Sequence, residues 1–139
     1  MSGPRPTLPS AAAAVGLLLA GLTGCSVEGP GSDGARAAAV NFHRLLTAGN
    51  GERACRLLSE RAVEDVRGPD DRACATALTS LPIRPVAAVR STSVYGHSAL
   101  VVFDADAVFL ASFDDGWRVT AAGCSPRQDQ PYDCAFEAG

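Results

Sequence analysis

Few residues of this chain have the types and spacing for chemistry: the carboxylates Asp104 and Asp106, the histidines His43 and His97, and five cysteines. Along an extended segment, Asp104-Ala105-Asp106 would set both acids on one face, as a metal-binding pair requires. No other ligand set converges with it in the sequence, and acids between two strand patterns suit a solvated turn. The turn reading is adopted, and no metal site is expected. His43 and His97 are the side chains that titrate nearest neutral pH. His43 follows Phe42 on a helical pattern and is placed on its solvent-facing flank, while His97 follows Gly96 in a turn. Ser98 beside His97 lacks the G-x-S-x-G turn that makes a serine nucleophilic. A glycine-rich phosphate loop and a C-x-x-C redox motif are both missing, so no catalytic residue and no cofactor is expected.

The cysteines take their meaning from the start of the chain. Met1 to Ser10 is short, Pro/Gly-broken and positively charged, and Ala11 to Ala20 has no polar side chain. That apolar run suits the central region of an export signal and is too short to span a bilayer. Leu22-Thr23-Gly24-Cys25 resembles the bacterial lipobox. The resemblance implies cleavage between Gly24 and Cys25, and a diacylglycerol thioether on Cys25. Two or more acyl chains hold a protein stably to a membrane where one holds it marginally. An ordinary secretory signal is the alternative, but no Ala-x-Ala site follows the apolar run. Residues 1–24 are therefore expected to be a signal peptide and residues 25–34 a flexible Gly/Ser/Pro tether. Residues 35–139 are expected to form a single domain on the outer face of the cytoplasmic membrane.

Assigning Cys25 to lipid leaves Cys55, Cys74, Cys124 and Cys134, which allow three disulfide connectivities. Sequence proximity favours Cys55–Cys74 with Cys124–Cys134, each contributing roughly 3 kcal/mol by loop entropy. Zinc would want paired C-x2-C spacing, which these cysteines lack. Beyond residue 24 the chain carries 11 arginines against 15 acids, a net charge of −4, and there is no lysine. A mildly acidic domain with scattered arginines makes a poor nucleic-acid binder. Roughly 105 residues remain to fold, enough for one domain that buries about two-thirds of its unfolded surface.

These residues need elements to position them. Ser32 or Asp33 can cap a helix beginning near Gly34, with Ala35, Ala38, Phe42 and Leu45 on its apolar face. Gly49-Asn50-Gly51 stops it. A second helical pattern from Glu52 carries Cys55, Leu58, Ala62 and Val66, divisible at Ser59, and Asp70 can cap a third carrying Cys74, Ala77, Leu78 and Leu81. After Pro82 and Pro85 the texture turns to strands, over 86–95, 99–104, 107–113 and 117–122, with turns at Gly96-His97 and Asp114-Asp115-Gly116. Helices followed by an antiparallel meander predict an α+β domain, with N-terminal helices packed on a curved antiparallel sheet.

That order resembles the NTF2-like (cystatin-like) superfamily, in which a curved sheet wraps helices around a cone-shaped pocket. Asp114-Asp115-Gly116-Trp117-Arg118-Val119, Ala121-Ala122-Gly123-Cys124 and Pro131-Tyr132-Asp133-Cys134 are similar to segments of a group of small lipoproteins from high-GC Gram-positive bacteria. That group also has a cysteine pair in its helical half, matched here by Cys55 and Cys74. The resemblance implies fold and location without chemistry. In NTF2-like enzymes a histidine or acid projecting into the cone can serve as general base, which makes His43 a candidate ligand-site residue together with Trp117. The packing reading puts Trp117 in the core at the hairpin and Tyr132 over the disulfide-closed tail. The expected function is a non-catalytic lipoprotein domain binding an unknown protein or small-molecule ligand. Its rivals are a small enzyme acting on a hydrophobic molecule and an accessory subunit of an envelope complex.

Overall fold

The computed structural model describes residues 2–7 and 31–139. Cys25, the Gly24–Cys25 junction and most of the expected signal and tether lie outside the described residues.

Helix α1 (Ser32–Thr47) buries Ala35, Ala39, Phe42, His43 and Leu45, the stripe that a 3.6-residue period brings to one side. It starts two residues before the expected Gly34. Neither Ser32 nor Asp33 caps it, because the N-cap is Gly31 in a left-handed conformation at φ +90°. Ser32 is instead buried inside the first turn, and Asp33 adds negative charge where the helix dipole favours it. Gly49, at φ +70°, turns the chain out of α1. Asn50 then caps the short α2 (Gly51–Cys55), its side chain accepting from the Arg53 N–H at 3.2 Å. Ser59 divides the second helical pattern as expected. Its hydroxyl accepts from the Ala62 N–H at 3.2 Å at the head of α3 (Glu60–Arg67). Asp70 does not cap α4 (Cys74–Thr79), which begins after Ala73 with no side-chain cap. The Gly68–Asp71 turn closes on itself instead, through Asp71 N–H to Gly68 C=O and the Arg67–Asp71 ion pair at 2.6 Å.

The strands are β1 (Val89–Tyr95), β2 (Ser98–Phe103), β3 (Ala107–Phe113), β4 (Gly116–Arg127), β5 (Gln130–Asp133) and β6 (Phe136–Glu137). They form one antiparallel sheet in the order β1-β2-β3-β4-β5, with β6 also pairing β4. The first strand starts at Val89 rather than at residue 86, because the Ala87 and Ala88 N–H groups donate to the Asp104 carboxylate instead of to a ladder. β4 outruns the expected 117–122 and carries two extra residues against β3, one between Val119 and Ala121 and one between Ala121 and Cys124. Such bulges bend a strand and increase its twist, and here the sheet curls into a half-barrel around the helices. The architecture is α+β.

The concave face and the helices enclose the main core, where Phe42, Leu78, Leu110, Val101, Val108 and Val119 are fully buried. Each such side chain contributes roughly 1.5–3 kcal/mol on leaving water. A smaller cluster of Ala107, Ala121 and Cys124 sits with Phe109 and Tyr132, whose rings meet edge to face at 5.2 Å. Disulfides join Cys55 to Cys74, tying α2 to α4, and Cys124 to Cys134, closing the tail on β4. These are the pairings that sequence proximity favours.

The two ends of the sheet differ. At one, where the β1–β2 and β3–β4 hairpins turn, the β3–β4 tip stands beside the start of α1, since Trp117 packs against Gly31 and Gly34. At the other, the β2–β3 turn carries Asp104 and Asp106 and meets α1 at His43.

Candidate functional site

His43 is not on a solvent flank. It is 3% exposed and follows Ala35 and Ala39 at four-residue intervals along the buried stripe of α1. Its ring lies edge-on to Phe42 at 5.6 Å and to Phe103 at 4.8 Å between centroids. Inside this apolar collar, His43 Nε2 forms a 2.8 Å hydrogen bond with Asp106 Oδ2. The carboxylate's other oxygen, Oδ1, accepts from the Ala107 N–H at 2.8 Å and the Cys124 N–H at 2.7 Å. The β4 bulge turns the Cys124 N–H toward Asp106, where Ala107 faces Cys124 in the ladder. A buried carboxylate is costly unless it is hydrogen-bonded and paired, and this one is both. Among the described residues, no buried side-chain nitrogen or oxygen lacks a partner.

Asp104 and Asp106 do not share a face. The segment between β2 and β3 is a bend, so strand alternation does not apply. Asp106 points inward at 6% exposure while Asp104 stays in solvent. The solvated-turn reading therefore holds for Asp104 and fails for Asp106. The Ala87 and Ala88 N–H groups, donating at 2.9 and 3.2 Å, hold the Asp104 carboxyl below its ordinary value of 3.8. Together the two acids act as a junction. Asp104 fastens the strand leading into β1, and Asp106 fastens α1 and β4.

His97 sits in the β1–β2 turn as expected, its Nδ1 3.1 Å from Ser112 Oγ. Trp117 is half-buried against the rim of the core, with its indole over the first turn of α1 rather than on a cleft wall. Tyr132 covers the tail cluster. Among the described residues, no group of three His, Cys, Asp or Glu converges to hold a metal ion.

No family model, curated protein or solved structure matches this chain. The molecule's own concavities are therefore the guide to a site. One groove, about 720 Å³, runs between the α2–α3 segment and β4, past Leu58, Val63, Phe113, Arg56, Arg61 and Arg118. Beside it Leu58 bridges Val119 in parallel, with Ser59 N–H to Val119 C=O at 2.9 Å and Val119 N–H to Leu57 C=O at 2.8 Å. Arg118 crosses its floor, donating to the Arg56 carbonyl at 2.5 Å and pairing with Asp115. That guanidinium holds the Asp115 carboxyl below its ordinary value. Sequence reasoning missed this groove, whose walls run from Cys55 to Ala138 and which Arg118 and Arg56 close across 62 positions. His43 also borders two smaller clefts of about 260 and 480 Å³, on either side of the connection into β1.

Proposed function

We propose that the mature chain is a lipid-anchored extracytoplasmic domain that binds and does not catalyse. In this reading Cys25 carries the lipid at the outer face of the cytoplasmic membrane, and the fold is of the NTF2-like (cystatin-like) kind. The observation that carries it is the closure of His43 on Asp106 within a filled core: the nitrogen a cone-bound substrate would need is already engaged. Phe42, Leu78 and Leu110 occupy the space where such a substrate would sit. The lipobox-like Leu22-Thr23-Gly24-Cys25 supports the anchor, and two disulfides are in keeping with an oxidising compartment. The groove beside Arg118 is the face offered to a partner, whether a soluble ligand or a subunit of an envelope complex.

One observation favours the enzymatic rival: the 260 Å³ cleft reaching His43 is walled by Leu46, Leu78, Leu81 and Ile83, a lining suited to a hydrophobic molecule. A thermal-shift screen with fatty acids and small aromatic ketones separates the two readings. The binding-domain reading predicts no saturable shift that depends on His43. A shift abolished by His43→Gln but kept by groove variants such as Val63→Ser supports the enzyme instead. Metabolic lipid labelling tests the anchor, with label expected on the wild type and none on Cys25→Ala.

A further inference from the structure

Large apolar side chains stand exposed at three places among the described residues, and two of them share one end of the sheet. Tyr95 is 70% exposed and Phe113 is 52% exposed. Tyr95 opposes Ser98, Ser98 opposes Ala111 and Ala111 opposes Arg118, so a single row crosses four strands to the hairpin tips. Phe113 lies two residues beyond Ala111 on β3, opposite Gly116. Val40, the third, is on α1 and borders the cleft beside Val86 and Phe103.

The same end receives the chain from its N-terminal side. Gly31 and Gly34 lie against Trp117, which pairs across strands with Ser112, the neighbour of Phe113. Only six residues, Ser26 to Gly31, separate Cys25 from the head of α1. Fully extended they reach about 20 Å. A lipid on Cys25 therefore keeps the head of α1 within that distance of the bilayer, with the β3–β4 tip packed beside it and the β1–β2 tip at the same end of the sheet.

We propose that this hairpin end is a membrane-docking face, with Tyr95 and Phe113 seated in the lipid headgroup region beside the anchor, which leaves the rest of the groove that Phe113 also lines, past Leu58 and Val63, to the partner. The proposal rests on the lipid-anchor reading of Cys25. Aromatic rings favour the membrane–water boundary, where an apolar body and a polar tip are both satisfied. A short tether supplies an effective concentration of about millimolar or more, so a weak contact suffices. Charge contributes little, since Asp114 and Asp115 offset Arg118 at the same tip. The docked state should therefore be insensitive to salt.

Trp117 is the single tryptophan; it lies at the same end of the sheet, on the face opposite Phe113, so it reports the approach of that end to the bilayer. The test uses full-length lipidated protein in phosphatidylcholine–phosphatidylglycerol vesicles whose acyl chains are brominated, with flotation scored alongside Trp117 fluorescence. Expected is flotation with strong, salt-insensitive quenching, several-fold weaker in Tyr95→Ser/Phe113→Ser and retained in Phe113→Leu. Equal quenching in wild type and the double variant, or none in a wild type that floats, overturns the docking face and leaves the anchor standing. Wild-type protein that fails to float overturns both. A urea midpoint unchanged in the double variant shows that any lost quenching is not unfolding.

Discussion

His43 Nε2 and Asp106 Oδ2 lie 2.8 Å apart across 63 positions of sequence, joining the C-terminal half of α1 to the β2–β3 turn within the core. Three hydrogen bonds meet at the one carboxylate, from a helix side chain, the first residue of β3 and the bulged β4. This junction fixes the distance between helix and sheet at one end, while Trp117 over Gly31 and Gly34 does so at the other.

The Cys55–Cys74 bond closes a 19-residue separation and the Cys124–Cys134 bond one of 10. Replacing either pair by serines should cost about 2–4 kcal/mol, slightly more for the longer loop. Urea unfolding of the two double variants measures this. Adding reductant should destabilise each variant further, because one disulfide remains.

Gly51 begins α2 where a side chain has no room: a Cβ there would lie 2.8 Å from the Ala75 carbonyl oxygen. Gly51→Ala should therefore cost about 1–3 kcal/mol, as overpacking does, although alanine is the better helix former. Thermal unfolding against wild type gives the sign. A stabilised variant would mean that the α2–α4 contact relaxes at no cost within the limit set by the Cys55–Cys74 bond.

Asp104 has a carboxyl held below its ordinary value by the Ala87 and Ala88 N–H groups, and more weakly by Arg90. A depressed folded-state pKa contributes stability that is present above the ordinary value of 3.8 and lost as pH falls through the depressed one. Asp104→Asn should thus be less stable than wild type at neutral pH, and the gap should narrow below about pH 4. Urea midpoints at neutral pH and at pH near 3 measure it, and a gap that widens in acid would contradict the assignment.

Secondary structure was readable from the chain because local signals agreed. Ser59 broke a helix with its own hydroxyl, Pro82 and Pro85 closed the helical half, and Asp114-Asp115-Gly116 turned a hairpin. The errors came where tertiary partners overrode local preference. Gly31 outcompeted Ser32 as a cap because Trp117, 86 positions away, packs onto it. Ala87 and Ala88 left the β1 pattern because Asp104 took their N–H groups. A histidine beside Phe42 reads as a flank residue, yet His43 is buried. Its four-residue spacing from Ala39 was the available sign of burial. Asp106 gave no such sign, because its partners lie on α1 and on a bulge of β4.

His43 and Asp106 hold helix to sheet, and a double-mutant cycle measures how strongly. His43→Leu and Asp106→Ala should each cost about 3 kcal/mol in urea unfolding, by leaving a buried polar partner alone. The double variant should fall short of the sum by about 1–3 kcal/mol. Single variants as stable as wild type, with coupling near zero, would contradict the structural role and return His43 to the candidates for a catalytic base.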